Sequence, residues 1–354
     1  MAETVGNGTI KSIQILRAIA ALSVVYRHCT IAGDYKFPSF GTFGVDIFFV
    51  ISGFIIAYIV SKNTDGFLLK RIIRIWPLYI LATIAMTLTV VLFPTLVQST
   101  TISLQGFIKS ILFIPGPENR GLPILGQGWT LNFEMFFYVS IALCIVFIKN
   151  RKYIVIVCAG LLILFLIILH LVNINSYILT VYKNGLIPEF IFGILLYYAY
   201  CFYQNSKYNK AGIITVIVLI IIAVMSYSYM VYSGITGFKI IKNRNINFGL
   251  PALIMVTAVL FLENNIKQNG IIKIFVWLGE ASYAMYLFHY HIVIFFSRLV
   301  FPKIFGKNEN IMIDLVKIII GISCTILLSL IIYELIDKQI QKKLRVLLKK
   351  IKRS

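Results

Sequence analysis

Charge is scarce in this sequence: Asp, Glu, Lys and Arg together make up 13% of its 354 residues. No connection between its apolar runs exceeds about 30 residues, too few to bury a core of their own, so a separate soluble domain is not expected. The strand alternation of a membrane barrel is absent. The five cysteines, Cys29, Cys144, Cys158, Cys201 and Cys324, are widely spaced and form no paired metal or redox motif, so they read as small apolar packing residues. Phosphate-binding glycine loops, a nucleophile elbow, zinc signatures and the dinucleotide fingerprint are all missing.

What the sequence has in quantity is apolar surface. Hydrophobic residues supply 59% of the chain and the mean hydropathy is +0.90. Runs of roughly 20 apolar residues recur along it, the length that crosses a bilayer as helix. A segment in lipid must satisfy its backbone polar groups internally, so these runs are read as helices. The expected fold is all-α, a polytopic transmembrane bundle of about ten spans. They are placed near Ile13–Ile31, Phe43–Val60, Trp76–Val97, Thr130–Ile148, Tyr153–Val172, Gly185–Tyr203, Ala211–Tyr232, Asn247–Leu262, Ile274–Phe296 and Ile311–Leu335. The segment Gly106–Gly116 is too short to cross and is placed at the interface or re-entering. The first run holds "AIA" at Ala18–Ala20 inside its apolar stretch rather than after it, so it is read as a retained span and not a cleaved signal. Residues 1–336 would form the transmembrane domain and 337–354 a basic cytoplasmic tail.

A net charge of +20 would suggest nucleic acid in a soluble protein. Here the basic residues sit in short connections and in the tail, where anionic lipid headgroups account for them, and no nucleic-acid partner is expected. Lys and Arg number 20 in the termini and even-numbered connections and 10 in the odd-numbered ones, which places both ends in the cytoplasm. The tail alone supplies 8 of the 20.

Against this background the polar residues inside spans need reasons, because a charge at bilayer depth costs a few kcal/mol or more. Arg17 and His28 are eleven residues apart on the first span. At 100° per residue they fall on nearly one helix face, about 16 Å apart along the axis. A snorkelling arginine and an interfacial histidine would explain the pair equally well. Asp46 opens the second span at a depth similar to His28, where it could orient the imidazole or simply cap the helix. Glu134 lies about one turn inside the fourth span, flanked by Trp129 and Tyr138, which fit sugar stacking or the aromatic belt. Glu189 starts the sixth span at the same level. Arg71 and Arg74 are three apart, hence neighbours if their segment is helical, and with Arg17 could bind phosphates. Basic residues of a cytoplasmic connection need no ligand, however. His289 and His291 on the ninth span point to different sides of a helix and are poor joint metal ligands, so no metal is expected.

Taken in order, "LRAIAALSVVYRH", "FGVDIFFVISGFII", "RIIRIWPLY", "QGWTLNFEMFFY", "PEFIFG", "GLPALI" and "LGEASYAMYLFH" resemble the acyltransferase-3 family of integral-membrane acyltransferases, in particular its exopolysaccharide and O-antigen O-acetylating branch. The histidine-x4-aspartate pattern of soluble glycerolipid acyltransferases is missing; His28 and Asp34 are one residue too far apart. The resemblance implies a bacterial inner-membrane enzyme that moves an acyl group, acetyl foremost, from cytoplasmic acetyl-CoA to a hydroxyl of a surface polysaccharide or its lipid-linked precursor. Its motifs match Arg17 and His28 in the first span, Arg71 and Arg74 before the third and Glu134 in the fourth; with Asp46 read as orienting the imidazole, the catalytic set is His28, Glu134 and Asp46, and Arg17, Arg71 and Arg74 fall to the donor. Trp129, Tyr138, Glu189 and His289 fall to the acceptor. Relatives often carry an extracytoplasmic hydrolase-like domain; this chain would act alone or with a separate partner. Asp337 stands where relatives tend to have glutamate before a proline. The alternative activity is transport of a lipid-linked sugar or small anion, which the buried charges also suit.

Overall fold

The computed structural model describes residues 4–5, 8–97, 100–172, 175–183, 185–204, 213–236, 243–306 and 310–351. Among these residues the chain is a helix bundle, with a single two-stranded hairpin, Thr4–Val5 against Gly8–Thr9, before the first helix. The helices are α1 (Lys11–Ala32), α2 (Phe43–Lys62), α3 (Phe67–Leu92), α4 (Leu104–Ile111), α5 (Trp129–Phe147), α6 (Arg151–Leu171), α7 (Tyr177–Lys183), α8 (Ile187–Gln204), α9 (Ile213–Thr236), α10 (Leu250–Phe261), α11 (Gly270–Phe295), α12 (Phe301–Phe305), α13 (Ile311–Ile332) and α14 (Lys338–Ile351). Among the described residues eight helical stretches are long and apolar enough to cross a membrane, nine if the bent pair α7 and α8 is counted as one span. Helix α9, apolar over Ile214–Tyr229, stands where the remaining span was expected. Residues 211–212 of that expected span and 352–354 of the tail lie outside the described residues.

Lipid gives helices no hydrophobic reason to associate, so close backbone approach at small residues sets the packing. Two crossings show it. A Cβ on Gly279 of α11 would stand 2.1 Å from the Gln14 carbonyl oxygen of α1, so only glycine lets these helices meet there. Gly53 of α2 and Gly193 of α8 do the same for each other's backbones, their added Cβ atoms falling 2.2 Å from Phe190 O and 2.1 Å from Val50 O. Ala18, Ala21, Ala281 and Ala284 extend the α1/α11 seam and are fully buried. Helices α1, α2 and α11 thus form the centre, while α3, α6, α9 and α13 keep rows of exposed apolar side chains on their outer faces.

Two local results differ from the sequence reading. Helix α3 starts at Phe67, nine residues before the expected span, so Arg71 and Arg74 ride on the helix itself. Hydropathy misses this start because it scores a charged first turn as loop, although helix needs only paired backbone groups. Pro77 lies inside the helix; it cannot donate to the Ile73 carbonyl, which loosens the ladder one turn beyond Arg74. The short segment after it forms α4, capped by Ser103 Oγ accepting from Gly106 N, and Trp76 Nε1 donates to Ile111 O at 2.9 Å. The tail, read from the sequence only as basic, is helical over its described residues: α14 continues α13 through a π turn at Tyr333–Asp337.

Candidate active site

Helices α1 and α11 run side by side, so positions along one meet the corresponding positions of the other. Near their starts Gln14 faces Gly279, and further along His28 faces His289. His289 is fully buried. Its Nδ1 lies 2.7 Å from Tyr286 O and 3.2 Å from Met285 O. Carbonyls only accept, so this nitrogen carries the hydrogen and Nε2 of the neutral ring is an acceptor. That Nε2 lies 3.2 Å from His28 Nδ1, which is also 2.9 Å from Val24 O. By the same reasoning His28 Nδ1 is a donor, shared between Val24 and His289. The lone pair of His28 is therefore at Nε2. His291 turns the other way, to Ala82 O on α3 at 3.2 Å.

One turn of α11 before the histidines, Tyr286 hydrogen-bonds Thr130 Oγ1 at 2.8 Å and Gln127 O at 3.0 Å, while Gln127 Nε2 donates to Leu287 O. Tyr286 and Thr130 close one end of a cavity of about 90 Å³. Its polar lining comes from five helices: Arg17 of α1, Ser52 of α2, Arg74 of α3, Glu134 and Tyr138 of α5, and Ser282 of α11. Tyr138 Oη donates to Glu134 Oε1 in a very short bond, and Ser52 Oγ donates to the same oxygen at 3.4 Å. Ser282 Oγ is buried without a hydrogen-bond partner among the described residues. Arg17 and Arg74 also line a smaller polar pocket on the other side, with Gln14, Glu280, Asp337 and Gln341. The two guanidinium groups thus stand between two spaces, and His28 lies beyond the capped end of the larger one.

The residues singled out in the sequence separate into three groups. Arg17, Arg74, Glu134 and Tyr138 share the cavity. Arg71, one turn earlier, is buried but does not line it. His28 and His289 form the pair above. Asp46, Glu189 and Trp129 form a third cluster around a residue the sequence reading passed over, Arg244. Asp46, fully buried, accepts from two of its donors, Nε at 3.0 Å and a terminal nitrogen at 2.9 Å. Trp129 and Phe248 lie over the guanidinium at 5.9 and 5.8 Å. Glu189, also fully buried, sits beside Asp46 with no donor to either oxygen among the described residues.

Neither Asp46 nor Glu134 hydrogen-bonds His28; the residue that orients the imidazole is His289. The signal for Arg244 was present all the same. A carboxylate opening a span needs a cation, and Arg244 stands immediately before the eighth span. Among the described residues no three His, Cys, Asp or Glu side chains gather as metal ligands.

A bundle of membrane-length apolar helices with arginines and a histidine buried among them is an integral membrane protein. Residues 10–334 match the family described as acyltransferase domain, and the chain belongs to that family. It is 31% identical over 260 residues to the exopolysaccharide production protein ExoZ of Rhizobium meliloti, covering 70% of this chain and 75% of that protein. It is 24% identical over 368 residues to the peptidoglycan O-acetyltransferase OatA of Listeria monocytogenes, covering 94% of this chain and 56% of that one. A putative O-acetyltransferase of Staphylococcus aureus is 23% identical over 320 residues. The chain spans about half the length of these two O-acetyltransferases. No solved structure matches it.

Proposed function

We propose that the protein transfers an acyl group, acetyl foremost, from acetyl-CoA at the cytoplasmic face to a hydroxyl of a surface polysaccharide or its lipid-linked precursor, from the bacterial inner membrane with both termini inside. The supporting observation is the succession along α1: Arg17 at the junction of two polar spaces, the cavity above it, and His28 beyond the cap, three helical turns away. The names of the relatives support the acceptor class, since they concern exopolysaccharide production and peptidoglycan O-acetylation.

In this reading Arg17 and Arg74 hold the phosphates of the donor by charge-assisted hydrogen bonds, with Arg71 supporting them from the preceding turn. The pantetheine arm fills the cavity, where Ser282 Oγ, Ser52 and the Glu134–Tyr138 pair face its amides. For the thioester to reach His28, Tyr286 must leave Thr130. His28 Nε2 then takes the proton of the acceptor hydroxyl as its oxygen attacks the thioester carbonyl. The carbon–sulfur bond breaks, and the proton passes from His28 to the departing thiolate, giving ester and free CoA. Transient acylation of His28 Nε2 uses the same lone pair and the same geometry. The basic helix α14 would rest on anionic lipid headgroups.

The test is His28→Ala in the native host, with acyl content of purified polysaccharide measured by NMR. Acylation should vanish while the protein remains in the membrane at normal level. Near-normal acylation would remove His28 from the chemistry.

A further inference from the structure

Arg27, next to His28 in sequence, has no part in the donor path. Its NH1 donates to Ser39 O at 2.8 Å, in the connection that folds back over the end of α1 with Tyr26 donating to Pro38 O and stacking on Phe40 at 4.3 Å. It has no carboxylate partner among the described residues. The charged group near enough to act on it is another cation, Arg244. Asp46 engages Arg244 through two of its five N–H donors, which leaves three. Arg27 keeps four.

The charge behind them does not balance the pair. Of the two arginines, Arg244 alone engages Asp46, through its two-donor contact, and no salt bridge reaches Arg27 among the described residues. Arg27, bonded to a neutral carbonyl, therefore brings a guanidinium that no carboxylate pairs among the described residues to the end of the bundle that holds His28. Trp129 and Phe248 pack over Arg244 and fix its plane, and its side chain keeps 32% of its surface open. Oriented, partly exposed guanidinium donors with no further acceptor among the described residues suit an anion with several oxygens.

We propose that Arg27 and Arg244 bind an anionic group carried by the acceptor: a diphosphate joining the glycan to its lipid carrier, or a carboxylate of an acidic sugar. The inference rests on the glycan-acceptor reading above and adds what the acceptor must carry. Because Arg27 and His28 are adjacent residues, the anion anchors the molecule beside the base and leaves a neighbouring sugar hydroxyl to be presented to Nε2.

The experiment uses the full-length protein in nanodiscs of neutral lipid. It is titrated with farnesyl diphosphate, with farnesol as the uncharged control, and with a glucuronate-containing tetrasaccharide. Arg27→Gln and Arg27→Lys are compared with wild type, and acetyl-CoA is titrated into every sample. We expect wild type to bind one of the two anionic probes and not to distinguish farnesol from buffer. Arg27→Gln should weaken that probe about ten-fold, the loss of one charge-assisted contact, with Arg27→Lys intermediate and acetyl-CoA affinity unchanged in both. Binding of the diphosphate assigns the anion to the lipid linkage, and binding of the tetrasaccharide assigns it to the sugar. The proposal is overturned if wild type binds acetyl-CoA but neither anion, or if Arg27→Gln leaves anion affinity intact. Failure of folded wild type to bind acetyl-CoA would strike the donor assignment instead, and the dependence on Arg27 would still be judged by the anion titrations.

Discussion

His289 Nε2 lies 3.2 Å from His28 Nδ1, and the far nitrogen of His289 is held by the Tyr286 carbonyl at 2.7 Å. A histidine that is itself anchored to backbone thus fixes the tautomer of the one beside it, the service a carboxylate performs in many catalytic sites. A neutral orienting group suits a fully buried position, where an ionised one would need further partners.

This arrangement predicts a graded response at His289. Substitution to Phe removes the acceptor and should lower turnover by about 10²-fold to 10⁴-fold, with little change in donor KM. His289→Gln can still accept through Oε1 and should recover part of the loss. Steady-state transfer from acetyl-CoA to a glycan acceptor reads both values. Equal loss in Phe and Gln variants would argue that His289 only fills space.

The contrast between Arg71 and Arg74 gives a second expectation. Arg74 lines the cavity and Arg71 does not. Arg74→Ala should raise the acetyl-CoA KM by about ten-fold to a hundred-fold, as loss of 1.5 to 3 kcal/mol requires, and Arg71→Ala clearly less. A KM change as large at Arg71 would place the phosphates elsewhere on α3.

Packing at Gly279 should be unforgiving. Any side chain there meets the Gln14 carbonyl and must push α11 from α1, separating the two histidines as well. Gly279→Leu should lower the thermal midpoint in detergent and cost at least about 1 to 3 kcal/mol. An unchanged midpoint would mean that the helices meet less closely than described.

Orientation is open to labelling. A cysteine at Lys70, on a background without native cysteines, should react with a membrane-impermeant thiol reagent only after cells are opened. Labelling of intact cells would invert the topology and with it the donor face.

The spans were legible in the sequence because lipid leaves little choice: a run of 20 apolar residues satisfies its backbone as helix or not at all. The start of α3 was not, since Arg71 and Arg74 make its first turns look like loop. Within the site, the eleven-residue spacing sets Arg17 and His28 on nearly one face of α1, because a helix converts spacing directly into direction. Partners from distant helices carry no such rule. Asp46 was matched with His28 by depth alone, and its pairing with Arg244, 198 residues away, required the bundle to be assembled. Glu134 joins His28 in the sequence reading through its place in the fourth span and the resemblance, and in the bundle it lines the cavity with Arg17 and Arg74.

Titration of acetyl-CoA into purified protein in nanodiscs, followed by calorimetry for wild type, Arg17→Ala and His28→Ala, tests the two-ended path most directly. Wild type should bind, Arg17→Ala should bind about ten-fold to a hundred-fold more weakly, and His28→Ala should bind as wild type does while transferring nothing. Loss of donor binding in His28→Ala as severe as in Arg17→Ala, or no binding by folded wild type, would contradict it.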